Sequence, residues 1–375
     1  MIKPINGAPL ILPPHMPTHG GALHRASAEF AIEPEKWIDL STGISPNSWP
    51  VPALPEQVWR SLPDAEDNLL ATAASYYGCR ESELLPISGS QFAIEQIPQL
   101  IKTAAVAVPV WGYAEHSYRW QLAGHQLHWY SDYQELEMLV SSGQVNSAVV
   151  INPNNPSTEL LTQAKLLKLL GILQTRQGNL LVDEAFMDSC AEHSLCNLLA
   201  DRPCPAGLII LRSVGKFFGL AGIRLGFVIA SGDCIQRLEQ RLSPWAVNHI
   251  ARWVGRHALT DSSWQQQQRQ SLVNSSTDWR QQLQQLLPSF HWHRSDCFIT
   301  AFADRQQCES LYRQLGQSAV LVRLLCSARD GLRDIEKSSG YSDGAALRFG
   351  LPSPNQLPTV VERISALEWQ PLCAD

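Results

Sequence analysis

The 375 residues are 45% hydrophobic, enough for a large core, and the length favours one large domain with a smaller companion; collagen-like, disordered and coiled-coil classes are excluded. A formal net charge of −6 and a pI near 6.0, with no run of lysine or arginine, exclude a nucleic-acid patch and leave small-molecule chemistry. The start Met1-Ile2-Lys3-Pro4-Ile5-Asn6 lacks a signal core, and polar residues or prolines break every apolar run, so no membrane and a cytoplasmic location are expected.

In chain order, the proline-rich first fourteen residues read as an extended arm, joining the smaller domain or a partner subunit. From Leu84 to Phe227 short apolar runs alternate with helical stretches, which predicts an α/β sheet between helices. The expected strands are 104–108, 126–130, 147–151, 180–182, 207–211 and 225–230. A helix over 160–174 would place Leu160, Leu161, Leu166, Leu167, Leu169 and Leu170 on a broad apolar face. Beyond Gly255 the texture changes. Residues 264–287 are rich in glutamine, but Trp264, Leu272, Trp279, Leu283 and Leu286 are spaced as an amphipathic helix, which opposes low-complexity disorder. Residues after Phe290 mix short strands and helices as a smaller α+β domain. The nine cysteines have no C-x-x-C pair, and Cys190, His193 and Cys196 lack the second pair of a zinc site, so reduced thiols and no metal are expected.

Polar motifs follow the strands, at the crevice where open α/β sheets bind ligands. Pro86-Ile87-Ser88-Gly89-Ser90-Gln91 precedes a helix over 92–101, so the amides of Ser90 and Gln91 stand at a helix N-terminus, a ready anion site, although such glycine turns are common. In Trp111-Gly112-Tyr113-Ala114-Glu115-His116, Tyr113 suits stacking on a ring; Trp111 competes for that role, and core packing suits either. Ile151-Asn152-Pro153-Asn154-Asn155-Pro156 is a rigid turn that can aim the Asn155 amide into the crevice. Leu180-Leu181-Val182-Asp183-Glu184 ends a buried strand in two carboxylates, and Asp183 comes first after the apolar run; a helix cap is the plain alternative.

The segment Leu211-Arg212-Ser213-Val214-Gly215-Lys216-Phe217-Phe218-Gly219-Leu220-Ala221-Gly222-Ile223-Arg224 is the most informative. Its lysine lies in an apolar, glycine-rich turn near a cation, so its pKa should fall and its neutral amine should condense with an aldehyde. Ser213 and Arg224 suit a phosphate. Together these features suggest pyridoxal phosphate, with Asp183 keeping a pyridine nitrogen protonated and Asn155 donating to the phenolate oxygen. Late in the chain, Arg323 and Arg348 sit in apolar strands and each needs an anion: a substrate phosphate and carboxylate, or internal salt bridges.

In order and spacing these motifs resemble fold-type I pyridoxal-phosphate enzymes of the histidinol-phosphate aminotransferase group, from His19 to Pro352. His19-Gly20-Gly21, Asp39-Leu40-Ser41-Thr42-Gly43-Ile44-Ser45-Pro46, Gly112-Tyr113-Ala114-Glu115-His116 and Leu347-Arg348-Phe349-Gly350-Leu351-Pro352 look most like the threonine-phosphate decarboxylases of cobalamin biosynthesis. The resemblance implies an aspartate aminotransferase-like fold, a mostly parallel seven-stranded sheet between helices plus a smaller α+β domain. The expected division is 1–44 as an arm contributing to the small domain, 45–260 as the cofactor-binding domain and 261–375 as the small domain.

The resemblance further implies a Schiff base at Lys216, pyridine contact by Asp183, and phosphate contacts by Ser90, Gln91, Ser213 and Arg224. It implies stacking by Tyr113 and carboxylate binding by Arg348, with Asn155 and Arg323 also facing substrate. His19 and Gly20 would help hold the substrate phosphate. Phe186 and Leu62 replace tyrosines of the aminotransferase pattern, Gly215 replaces a hydroxyl residue, Ser157-Thr158 replaces Thr-Gly, and Ser45 stands where relatives often carry asparagine. The activity implied is decarboxylation of L-threonine O-3-phosphate, in a homodimer. Two rivals are a histidinol-phosphate or related aminotransferase and a non-catalytic pyridoxal-binding module.

Overall fold

The computed structural model describes residues 17–200, 202–326 and 344–368. The proline-rich first fourteen residues lie outside them. In chain order the strands are β1 (Ile38–Asp39), β2 (Leu84–Ile87), β3 (Ala105–Pro109), β4 (Gln126–Tyr130), β5 (Ser147–Ile151), β6 (Asn179–Asp183) and β7 (Leu208–Ser213). They continue as β8 (Gly226–Ala230), β9 (His291–Arg294), β10 (Phe298–Asp304), β11 (Val320–Leu321), β12 (Arg323–Cys326) and β13 (Gly344–Gly350).

The large sheet has seven strands in the order β2-β8-β7-β6-β5-β3-β4. Strands β3 to β7 pair in parallel, whereas β8 runs antiparallel to both β7 and β2. Alternate residues of each strand enter separate cores: Val106, Val149, Leu181, Ile209 and Val228 pack on one face, and Ala107, Ala148, Leu180, Ile210 and Phe227 on the other. Helices covering both faces explain why these strands read as continuous apolar runs. A four-stranded antiparallel sheet, β12-β13-β10-β9, forms the smaller layer, and β1 pairs in parallel with β11.

Several sequence expectations change. β2 is not among the expected strands, because Pro86 interrupts a run of only four residues. The helix expected over 160–174 spans Gln163–Gln174, with the Thr162 hydroxyl accepting from the Lys165 amide. Its buried stripe is Leu166, Leu169, Leu170 and Leu173. Leu160 and Leu167 are exposed, because Leu160 precedes the helix and Leu167 faces outward. Leu161 is buried but belongs to the preceding loop, where the Asn152 side chain accepts from its amide and donates to its carbonyl.

The glutamine-rich stretch is the 25-residue helix Ser262–Leu286, burying Leu272, Trp279 and Leu283. Two of its glutamines are also buried: Gln265 Nε2 donates to the carbonyls of Ala258 and Leu259, and Gln268 Nε2 donates to Ser45 Oγ at 2.6 Å and to the Phe217 carbonyl at 3.3 Å. Gln268 thereby fastens the long helix to the segment just after Lys216. Among the described residues, no helix is long and apolar enough to cross a membrane.

Candidate active site

Sheet register gathers the polar motifs along one edge. Ile87 and Ser213 both pair with Gly226, and Asp183 pairs with Ile151 on one side and Leu211 on the other. The turns after β2, β5, β6 and β7 therefore open at the same end. Arg224 precedes β8 rather than following a strand, and it reaches this edge because β8 is antiparallel.

At one end of the edge lies an anion cradle. Ser90 begins the helix Ser90–Leu100, preceded by Gly89 at φ 79°. A Cβ on Gly89 would fall 2.5 Å from an Arg224 guanidinium nitrogen, so glycine is needed both for the turn and for this approach. Arg224 is exposed, donates to the Ala221 carbonyl at 3.3 Å and makes no ion pair among the described residues. With the buried Ser213 hydroxyl nearby, these donors fit a phosphate.

Lys216 lies in the loop between β7 and β8, its Nζ 5.6 Å from the centre of the Phe186 ring. Burial, and then the positive charge of Arg348, push its pKa down to about 8. The lowering matches the sequence expectation, but the main cationic neighbour is Arg348, with Arg224 a lesser one.

Asp183 is buried at the end of β6; its Oδ1 accepts from the Ala185 amide at 3.0 Å and its Oδ2 lies 2.8 Å from His116 Nε2. The neighbouring Glu184 points elsewhere, into a buried ionic cluster in which Arg212 reaches Glu184 at 2.6 Å and Asp188 at 2.5 Å. Tyr113 packs edge-on to His116, with ring centres 6.2 Å apart, and its hydroxyl donates to Gln91 Oε1 at 3.3 Å. Burial and the carboxylates of Glu115 and Asp183 raise its pKa to about 12. Trp111 instead packs edge-on against Phe302.

The small sheet supplies cations from above. Arg348 and Arg323 are cross-strand partners. The Arg348 guanidinium is buried, donating to Asn155 Oδ1 at 2.7 Å and to the Ser41 carbonyl at 2.6 Å, with its Nε unpartnered among the described residues. Burial and then Arg323 lower its pKa to about 10. Neither arginine pairs with a carboxylate among the described residues, against the internal salt-bridge alternative. Arg323 is half-buried and donates to the backbone and hydroxyl of Thr18. Asn155, expected at a phenolate oxygen, has its carbonyl engaged by Arg348.

His19, Gly20 and Arg323 line a separate cavity of about 250 Å³, with Ser41, Arg25 and Tyr312 also on its wall. Gly20 lies so close to the Ser41 carbonyl that a Cβ would collide with it. His19 Nε2 lies 3.0 Å from Glu115 Oε1 and connects this cavity to the ring side of the site.

His116 and Glu115 carry no local sequence signal of a role, although both stand in the motif around Tyr113. Their partners are 67 and 96 residues away, so only the fold reveals the pairing. Amine, carboxylate, aromatic face and phosphate cradle together fit pyridoxal phosphate.

Residues 53–328 match the family model described as aminotransferase class I and II. Over 89% of its length the chain is 39% identical to the threonine-phosphate decarboxylase of Pseudomonas aeruginosa, spanning 98% of that protein. In fold it is similar to a histidinol-phosphate aminotransferase from Sinorhizobium meliloti, solved in complex with pyridoxal-5'-phosphate: TM-score 0.72, 16% identity, covering 92% of this chain and 94% of that one. A Thermus thermophilus aspartate aminotransferase double mutant gives TM-score 0.70 at 16% identity, covering 93% and 97%. With the matched span taking in most of the chain, it belongs to the aminotransferase class I and II family.

Proposed function

We propose that this chain is a pyridoxal-phosphate-dependent decarboxylase that converts L-threonine O-3-phosphate to 1-amino-2-propanol O-phosphate. The likeness to a threonine-phosphate decarboxylase along nearly that protein's whole length carries the reading. Arg323 and Arg348, neither of which meets a carboxylate among the described residues, support it, because the substrate has two anionic ends.

Bound pyridoxal phosphate supplies an electron sink for the pair released when a bond at the substrate's α-carbon breaks. Ser90, Gln91, Ser213 and Arg224 would hold its phosphate, Tyr113 would cover its ring, and Asp183 would face the pyridine nitrogen. The contacts from His116 and the Ala185 amide fix the orientation of the Asp183 carboxylate. Arg348, with Asn155, takes the substrate carboxylate; His19, Gly20 and Arg323 take the substrate phosphate. Holding both ends selects which α-carbon bond is placed for cleavage, and a displacement of about 1 Å at such a site costs about a hundredfold in rate. Phe186 and Phe298, edge-on at 5.1 Å, form an apolar wall that excludes water. Lys216, the catalytic residue, carries at Nζ the proton returned to the α-carbon after carbon dioxide leaves.

Incubation with threonine phosphate and no keto acid should release carbon dioxide continuously. Turnover only with a keto acid would overturn this reading in favour of an aminotransferase.

We further propose that the chain works as a homodimer. Trp59, Leu62 and Trp245 are 63%, 64% and 59% exposed, an unusual outlay of apolar surface. They flank contacts near the cradle: a His249 ring nitrogen lies 3.2 Å from the Ser61 carbonyl, and Asn248 donates to the Ile223 carbonyl. Leu62→Glu should shift the protein from dimer to monomer in light scattering; a wild-type monomer would refute the assembly.

A further inference from the structure

Glu115 is buried, 2% exposed, beside a site that must accept two phosphates. A buried carboxylate is costly unless its charge is paired, and one near anionic ligands would also repel them. Each oxygen of Glu115 is engaged. Oε1 lies 3.0 Å from His19 Nε2, while Oε2 accepts from Gln91 Nε2 at 2.9 Å and from Arg119 Nε at 3.0 Å. Arg119 also reaches Glu95 at 2.9 Å, and Glu95 Oε1 accepts from Gln91 at 3.1 Å, so this cation is shared between two carboxylates. The imidazole of His19 is the group on the substrate side. Its ring centre lies 5.8 Å from that of Tyr113, and the Tyr113 hydroxyl closes the circuit onto Gln91.

We propose that Glu115 is a positioning residue for the phosphorylated end of the substrate: it aims His19 into the cavity shared with Arg323 and Arg25, and through Gln91 ties that segment to the first turn of the phosphate-binding helix. The inference rests on the proposed phosphate-ester substrate. It gives the deep carboxylate a use that stability alone does not supply, because His19 is nearly half exposed and its own ordering benefits the fold little. Through this hub the His19 segment, the Tyr113 ring and the cradle helix share one anchor. Truncating Glu115 loosens the substrate side first, because Gln91 and Tyr113 keep each other as partners.

The test is a double-mutant cycle on the holoenzyme, following carbon dioxide release from threonine phosphate. Glu115→Gln, which keeps shape and removes charge, and His19→Asn should each raise KM about tenfold with kcat within twofold. The double variant should be no worse than the weaker-binding single variant, the signature of two residues acting as one. Lys168→Gln, in an ion pair with Glu137 outside this cluster, should leave KM within twofold. Cofactor absorbance of Glu115→Gln should match wild type but need about tenfold more threonine phosphate for its substrate-induced change. Multiplicative effects of the two single variants, an equal KM rise in Lys168→Gln, or a fall in kcat alone would overturn the proposal. If the wild type instead turns over histidinol phosphate with a keto acid, the decarboxylase reading fails separately. The same cycle is then run on the KM of that phosphate ester, where the same outcomes support or overturn the role of Glu115.

Discussion

Replacing Arg348 with methionine keeps most of its volume and removes the charge that acts on Lys216 and is proposed to hold the substrate carboxylate. In the wild-type protein the lysine pKa lies near 8 rather than 10.5. At pH 7 that shift leaves about a tenth of the amine neutral and multiplies the nucleophilic fraction about 300-fold. Burial is the larger cause and Arg348 the next, so Arg348→Met should move the pKa upward without restoring it fully. The assay is the rate at which the cofactor-free protein takes up pyridoxal phosphate, measured from pH 6 to 11 by absorbance. Wild type should show a midpoint near 8 and the variant a higher one. If Arg348 holds the substrate carboxylate as proposed, the same substitution removes one partner of a buried charge pair, costing about 2–5 kcal/mol, or about 30-fold to several thousandfold in kcat/KM. An unmoved uptake midpoint, or a wild-type midpoint at the ordinary lysine value, would refute the electrostatic reasoning. Unchanged kcat/KM would refute the assignment of Arg348 to the carboxylate.

Arg224→Ala removes a charged donor worth about 1.5–3 kcal/mol, so the cofactor dissociation constant should rise about 10- to 150-fold; unchanged retention in equilibrium dialysis would remove Arg224 from the cradle. Asp183→Asn should keep the fold and lower kcat by at least about a hundredfold, read from carbon dioxide release, since it deletes preorganised charge opposite the ring nitrogen. Arg212→Met strands Glu184 and Asp188 as buried carboxylates and should cost about 3–5 kcal/mol in urea unfolding, whereas an exposed control such as Arg60→Met should cost almost nothing. Because Lys216 is harder to protonate in the folded state, the cofactor-free unfolded chain binds more protons between about pH 8 and 10.5; the contribution of Lys216 to stability should therefore grow as pH rises through that window. Comparing urea midpoints of wild type and Lys216→Met across that window checks the sign.

The sheet was readable because its central strands are buried on both faces, leaving uninterrupted runs such as Ser147–Ile151. β7 extends two residues beyond its apolar run, through Arg212 and Ser213, since the charge of Arg212 is neutralised by residues from the next segment back. Leu167 looked apolar enough for the core and is outside, because composition alone does not fix the rotation of a helix. At the site, Lys216, Asp183 and Arg224 could be proposed from local chemistry, and the register places them along one edge. His116, Glu115 and Gln268 could not. Each takes its meaning from a partner brought by long-range folding, and a histidine or glutamine in a helix carries no local mark of that.

The reversal of β8 has a consequence for how the site is assembled. The chain leaves β7 and returns to β8 at the same end of the sheet, so Ser213, Lys216 and Arg224 belong to one closed loop pinned at Ser213 and Gly226. The spacing between amine and guanidinium is therefore set by local ring closure, whose entropy is offset when the two strands pair, before any ligand arrives. Inserting a single residue between Phe217 and Ile223 would alter their reach at once.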